Sequence, residues 1–98
     1  MDIQDIRDRV LARRFILTNH AVDECDHEGL IADDLVSCVM SGEIIDSDFD
    51  VSHWIEYLIE GRLWTRQTIR VKAAVDDRDV LGFITVYSMG GRRYSSVY

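Results

Sequence analysis

The sequence has 98 residues, of which 47% are hydrophobic and 30% are charged, and its formal net charge is −7. This length fits a single domain with one modest core, and the composition excludes a disordered chain or a membrane protein. No apolar run approaches the roughly 20 residues that cross a bilayer, and the first ten residues alternate in charge where a signal peptide needs an apolar stretch. We therefore expect residues 1–98 to form one cytoplasmic domain that makes no membrane contact.

The negative charge is concentrated in one half of the chain. Residues 1–50 contain 13 acidic residues and 4 arginines, whereas residues 51–98 contain 5 acidic and 7 basic residues. A net negative charge argues against nucleic-acid binding, which depends on Lys and Arg side chains that displace counterions from phosphates. The second half nevertheless carries a small positive charge, so it remains a candidate for contact with RNA.

The first half of the chain reads as helical. Its first 14 residues repeat apolar side chains at spacings of three and four, which predicts an amphipathic helix. After a short apolar run, Thr18 or Asn19 can cap a second helix that starts at His20 and is ended by Gly29. Residues 32–40 have the pattern of a third helix. The sequence thus predicts two or three N-terminal helices.

From residue 43 onward the apolar period changes to two, which is typical of strands. Four consecutive strands are predicted, and they cover residues 44–45, 53–60, 64–75 and 80–88. The polar residues 46–50 are predicted to be a loop. Short connections favour antiparallel neighbours, so we expect an α+β fold in which the helices pack on a four-stranded antiparallel meander. Residues 90–98 follow as a polar tail.

Strict alternation along the third predicted strand places Arg66, Arg70 and Lys72 on one face. The same rule places Phe83 and Tyr87 of the fourth strand away from the core. If the register of the two strands permits, Tyr87 lies near Arg70 or Lys72. The sequence therefore predicts a basic sheet face with an aromatic neighbour.

Such a face suits RNA, because guanidinium groups bind phosphate oxygens and an aromatic ring stacks on an unpaired base. Arg92 and Arg93 in the tail would extend the same surface. The alternative interpretation is a solvated sheet face on which Glu56 and Glu60 of the neighbouring strand balance the positive charges.

His20 is the most informative single residue, because an imidazole can act as a base or an acid in phosphodiester cleavage. The alternative is a polar residue that is hydrogen-bonded to the backbone at the start of a helix. Cys25 and Cys38 are not in a Cys-x-x-Cys pair, and we expect both to be reduced, partly buried thiols. The spacing of the groups around His27 lacks the paired ligands of a structural zinc site, so we predict no metal and no cofactor.

Several short segments together resemble a known bacterial family. They are His20 with Ala21, Gly29 with Leu30, Asp34 with Leu35, SGEIID from Ser41 and FITVYS from Phe83. Over about residues 15–90 the chain resembles the domain of unknown function 4258. It departs from that family's usual pattern at Glu24 and Glu28, where arginines are usual, and at Arg70, where a histidine is common.

The resemblance implies a RelE-like toxin. Such proteins pack helices on an antiparallel sheet in a RelE/barnase-like fold, cleave messenger RNA without a metal, and are often encoded beside a small antitoxin. By carry-over, His20 matches the family's histidine, Gly42, Glu43 and Ile44 match its central signature, and Tyr87 matches the tyrosine that closes its last strand.

Two hypotheses follow. The first is a metal-independent endoribonuclease of a toxin–antitoxin pair, in which two cations hold the scissile phosphate and His20 or Tyr87 moves protons. Its candidate catalytic residues are His20, Arg70, Lys72 and Tyr87. Its candidate RNA-binding residues are Arg66, Arg92 and Arg93. The second is a non-catalytic module whose acidic helical face docks an antitoxin or another basic protein.

Overall fold

The computed structural model describes residues 1–49 and 55–89. Within these ranges the chain forms three helices and five strands. In chain order they are α1 (Ile3–Leu11), β1 (Phe15–Leu17), α2 (Asn19–Glu28), α3 (Ala32–Ser41), β2 (Glu43–Phe49), β3 (Ile55–Arg62), β4 (Thr68–Val75) and β5 (Leu81–Met89). The α+β class predicted from the sequence is confirmed.

The five strands form one mixed sheet in the order β1-β5-β4-β3-β2. Strands β2 to β5 are consecutive antiparallel neighbours, as predicted, but β1 pairs parallel with β5. The prediction of a purely antiparallel, four-stranded sheet is therefore wrong. β1 has only three residues, which are too few to show an alternating pattern. Phe15 of β1 pairs with Leu81, which lies far away in the sequence.

Local signals in the sequence account for the helix ends. The Thr18 hydroxyl accepts a hydrogen bond from the Ala21 N–H at 3.1 Å and so caps α2. Gly29 ends α2 with a left-handed backbone, at a φ of 73°, which costs a residue without a Cβ little. Asp2 caps α1 through the Asp5 N–H. α2 and α3 thus begin and end close to where the sequence predicts.

The core lies between the three helices and one face of the sheet. α2 packs mainly on β5, and α3 packs mainly on β3. The fully buried larger side chains in this layer are Ile6, Leu35, Cys38, Val39, Ile59, Ile69, Val71, Leu81 and Phe83. Because the helices cover only this side, alternate residues of β3, β4 and β5 point to the opposite face of the sheet.

Phe83 corrects one predicted orientation. Alternation along the last strand predicts that its side chain points away from the core, yet Phe83 is fully buried. Its ring packs edge-on against that of Phe15, with 5.8 Å between the ring centroids. In the observed register Lys72 pairs with Thr85 while Ala73 pairs with Phe83, so Ile84 is an extra residue on β5. This β-bulge shifts the alternation by one position, and Tyr87 beyond it keeps its predicted outward direction.

Two strand boundaries also differ from the prediction. Residues 46–49 of the predicted loop 46–50 belong to β2, an edge strand of the sheet, where polar and charged side chains are common. β4 begins at Thr68 rather than at Trp64, which is 93% exposed. The predicted start of the second strand at residue 53 lies outside the described residues.

The backbone of α3 comes very close to β3. A Cβ atom on Gly61 would lie 2.1 Å from the Cys38 carbonyl oxygen, and one on Gly42 would lie 2.2 Å from the Glu60 carbonyl oxygen. Neither position has room for a side chain. The glycine of the Gly42-Glu43 signature therefore serves helix–sheet packing rather than chemistry.

Candidate functional site

The face of the sheet opposite the helices carries two cations near its centre. Ile69 and Val71 of β4 are buried under the helices, so the alternating Arg70 and Lys72 project to the other side, where both are half-buried. This part of the predicted basic face is confirmed.

Neighbouring strands surround the two cations with polar groups. Arg70 pairs in register with Glu60 on β3 and with Tyr87 on β5. Its guanidinium Nε donates to Glu60 Oε2 at 2.9 Å, and about a third of each side chain is exposed. The alternative interpretation, in which Glu60 balances a cation of this face, is therefore correct for Arg70. A pair with this partial exposure to solvent contributes only about 0–1 kcal/mol, so a stronger anionic ligand can displace the carboxylate.

A cavity of about 470 Å³ opens beside these groups. Arg70, Lys72 and Tyr87 line it from the sheet, and Glu24 and Glu28 line it from α2. Two cations, an aromatic hydroxyl and two carboxylates are therefore gathered around one space. Guanidinium and ammonium groups bind phosphate oxygens, while carboxylates and hydroxyls can accept or give protons.

His20 does not line this cavity. Its side chain is 65% exposed in the first turn of α2, and its Nε2 lies 3.3 Å from Glu24 Oε1. It lines a neighbouring concavity of about 230 Å³ together with His27. Glu24, Glu28 and Val86 line both spaces. The structure therefore brings Arg70, Lys72 and Tyr87 together around one cavity. It places His20 on the other side of the wall that separates this cavity from the neighbouring concavity.

Glu24 is the residue that sequence reasoning missed. Its Oε1 accepts a hydrogen bond from the Val86 N–H at 2.9 Å, in addition to the contact with His20. β1 pairs with β5 only as far as Phe83, so the next part of that edge of β5 faces α2 instead. The spacing of four residues between His20 and Glu24 was the available signal, because such residues are neighbours on a helix.

Of the predicted RNA-binding arginines, the structure describes Arg66, which does not extend this site. Arg66 lies in the turn between β3 and β4 with a φ of 69°, and its N–H donates to the Leu63 carbonyl at 2.9 Å. It is exposed and lines neither cavity, so the prediction that it shares a strand face with Arg70 is wrong. Arg92 and Arg93 lie outside the described residues.

The two cysteines belong to the core and are more buried than the partly buried thiols that the sequence predicts. Cys25 is 3% exposed and Cys38 is fully buried. Burial raises the pKa of the Cys25 thiol and raises that of Cys38 to about 12. Since the thiolate is the nucleophilic form, neither sulfur is suited to covalent catalysis at neutral pH.

Neither a metal-ligand cluster nor a membrane-spanning helix occurs in the part of the chain that the structure describes. Within residues 1–49 and 55–89, no three His, Cys, Asp or Glu side chains are grouped so that they could hold a metal ion. None of the three described helices has the length and apolar character needed to cross a bilayer.

Comparison with known proteins gives a family and no activity. The family model described as "Domain of unknown function (DUF4258)" matches residues 17–88. That range contains all four candidate catalytic residues and Glu24. No curated protein and no solved structure matches the chain. The likeness to RelE-type toxins therefore stays a prediction.

Proposed function

We propose that this chain, which belongs to the DUF4258 family, is a metal-independent endoribonuclease of the toxin type. The observation that carries the proposal is the convergence of Arg70, Lys72 and Tyr87 on one cavity, with Glu24 in its wall. These groups are of the kinds needed to bind a phosphodiester and to move protons beside it.

The proposed reaction is an internal transesterification of RNA. The ribose 2′ oxygen attacks the neighbouring phosphorus, the bond from phosphorus to the 5′ oxygen breaks, and a 2′,3′-cyclic phosphate and a 5′-hydroxyl are formed. A base must take the 2′-hydroxyl proton, an acid must supply a proton to the departing 5′ oxygen, and a cation must stabilise the charge that develops on the phosphoryl oxygens.

Arg70 and Lys72 bind the phosphate in this proposal. The Arg70 guanidinium already donates to the Glu60 carboxylate at 2.9 Å, a geometry that a phosphate oxygen can take over. Lys72 pairs with Leu58 and Thr85 across the sheet, so in register its neighbours carry no opposite charge. Tyr87 is 39% exposed and supplies both a ring for base stacking and a hydroxyl for proton transfer.

The acidic surroundings set the expected mode of RNA binding. Carboxylates from α2 and from β3 flank the cations, so long-range attraction of RNA by this face is weak. Recognition must then depend on direct contacts to one phosphate and one or two bases. We expect weak binding of long RNA, with specificity for unpaired segments.

The alternative is a non-catalytic module that docks a basic protein through its helices. The exposed acids of α2 and α3, among them Asp23, Asp26 and Asp33, favour it. The two functions use different surfaces, because these residues do not line the cavity of Arg70. A ribonuclease assay separates the two hypotheses.

The test is incubation of purified protein with a mixed-sequence RNA, with and without EDTA. Arg70→Gln and Lys72→Gln each remove one positive charge from the cavity, and the control Arg66→Asn removes one outside it. Asn tolerates the left-handed backbone at position 66. Removal of one charge-stabilising donor costs about 10² to 10³ in rate, so we expect losses of that size in both cavity variants and none in the control.

The RNA ends identify the chemistry. We expect EDTA-resistant cleavage with 5′-hydroxyl ends that accept phosphate from a polynucleotide kinase, and 3′ ends that are blocked until the cyclic phosphate is removed. Intact RNA in every lane would refute the enzyme and favour the binding module. Cleavage that EDTA stops, or that all variants retain, would refute the proposed site.

A further inference from the structure

Glu24 is shared by the two concave spaces that the candidate catalytic residues line. It lines the cavity of Arg70 and also the concavity of His20. Its side chain is 29% exposed, whereas that of His20 is 65% exposed. Glu24, rather than His20, therefore lines the space in which the phosphate would bind.

Two contacts hold this carboxylate in place. The Val86 N–H donates to Glu24 Oε1 at 2.9 Å, which ties the side chain to the edge of β5. His20 Nε2 lies 3.3 Å from the same oxygen. A base in a fixed position next to its substrate needs little reorganisation during the reaction, and an imidazole beside it can pass protons to and from solvent.

We propose that Glu24 is the general base of the ribonuclease reaction and that His20 is the positioning residue behind it. This inference rests on the proposed function and specifies its proton transfers. In the first step the 2′-hydroxyl proton passes to the Glu24 carboxylate while the 2′ oxygen forms its bond to phosphorus. The bond to the 5′ oxygen breaks, and that oxygen takes the Tyr87 hydroxyl proton.

The protons balance without any further reactant. After the step Glu24 carries one additional proton and Tyr87 lacks one. Glu24 releases its proton through His20 to water, and Tyr87 regains one from water, so the enzyme returns to its starting state. RNA and solvent water are the only other participants.

The substitution Glu24→Gln separates this role from a purely structural one. Glutamine keeps an oxygen that accepts the Val86 N–H, so the tie to β5 persists, but the amide cannot take a proton. The substitution also removes a negative charge beside the bound phosphate, which on electrostatic grounds alone strengthens RNA binding. A base role thus predicts slower cleavage together with unchanged or tighter binding.

The experiment measures both quantities. Cleavage is followed in single-turnover assays, and binding is followed by fluorescence anisotropy with an uncleavable 2′-O-methyl RNA of the same sequence. We expect Glu24→Gln to lower the cleavage rate by about 10² to 10⁴ without weakening binding. The control Asp26→Asn removes a carboxylate from the exposed side of the same helix and should change neither quantity. His20→Gln should slow cleavage less than Glu24→Gln does.

The outcomes are distinguishable from those of the proposed function. If the unmodified protein leaves RNA intact, the proposed function fails and this inference fails with it. If the protein cleaves RNA and Glu24→Gln retains its rate within a few-fold, or if His20→Gln is the slower variant, only this inference is overturned. If Glu24→Gln unfolds, Glu24→Asp serves instead, because it keeps the charge and moves the base by one methylene. A rate reduced at least tenfold, with intact RNA binding, is then expected, and an unchanged rate would overturn the assignment.

Discussion

The close approach of α3 and β3 gives the sharpest structural prediction, which is the effect of Gly61→Ala. The new Cβ would lie 2.1 Å from the Cys38 carbonyl oxygen, 2.7 Å from its carbonyl carbon and 2.8 Å from its Cα. All three atoms belong to backbone inside a helix, so no side chain can rotate away. The helix and the strand must instead separate by more than 1 Å, because ordinary van der Waals contact with a Cβ atom begins at about 3.4 Å.

That separation loosens the packing in the middle of the core. Cys38 lies between α3 and the sheet, and its thiol contacts the Ile59 carbonyl at 3.8 Å and the Ile69 carbonyl at 3.7 Å. Overpacking costs about 1–3 kcal/mol when side chains can adjust, so we expect a loss of about 3 kcal/mol or more here. A domain of this size has a free energy of unfolding of roughly 5–15 kcal/mol, and each kcal/mol moves Tm by about 4–8 °C. The expected fall in Tm is about 12–24 °C.

Gly82→Ala is the matched control on another strand of the same sheet. A Cβ there meets only the Ala74 carbonyl oxygen, at the ordinary distance of 3.8 Å. Urea unfolding followed by circular dichroism measures both variants against the original chain. We expect Gly82→Ala to change the free energy of unfolding by less than about 1 kcal/mol. If the two variants lose similar stability, or if Gly61→Ala loses less than about 1 kcal/mol, the described contact between α3 and β3 is wrong.

Two further predictions concern titratable groups. Burial raises the pKa of Cys38 to about 12 and also raises that of Cys25. Both thiols should therefore resist a maleimide in the folded protein and react within minutes in urea. Mass spectrometry counts the labelled thiols, and rapid labelling of the folded protein would contradict the described core. Hydrogen bonds from the Val80 N–H and from Arg78 lower the pKa of Asp76. Its stabilising contribution is therefore present above the unfolded pKa of about 3.9 and is lost as the pH falls through the lower folded pKa. Asp76→Asn should reduce Tm at pH 7, and its difference in Tm from the original chain should narrow as the pH falls below about 4. A difference in Tm that stays constant between pH 7 and pH 2 would contradict this explanation.

Much of the fold follows from local signals, and the exceptions have identifiable causes. Thr18 and Gly29 bound α2 because capping depends on single residues and their immediate neighbours. Alternation along β4 correctly separates buried Val71 from half-buried Arg70. The bulge that buries Phe83 is invisible to such a rule, since it depends on pairing with the next strand. The parallel strand at Phe15 likewise depends on a distant partner.

The candidate site also combines residues that local sequence signals associate with one that depends on a distant contact. Arg70, Lys72 and Tyr87 could be associated from the sequence because they lie on adjacent antiparallel strands that a short turn joins. The spacing of Glu24 from His20 indicates that the two are neighbours on α2, but the place of Glu24 in the cavity wall depends on where α2 crosses the edge of β5 that β1 leaves unpaired. Its acidic side chain reads in the sequence as a surface charge unfavourable to RNA. The structure places it instead in the wall of the cavity that the two cations line.

In the function proposed above, the cavity of Arg70 binds an RNA phosphodiester. The most direct measurement is a nuclear magnetic resonance titration of isotopically labelled protein with a 2′-O-methyl dinucleotide, which retains the phosphodiester and cannot be cleaved. We expect the largest shifts at the Arg70 side-chain N–H, the backbone amides of Lys72 and Tyr87, and the Val86 amide that is hydrogen-bonded to Glu24. Shifts confined to α1 and α3, or no shifts at millimolar dinucleotide, would contradict it.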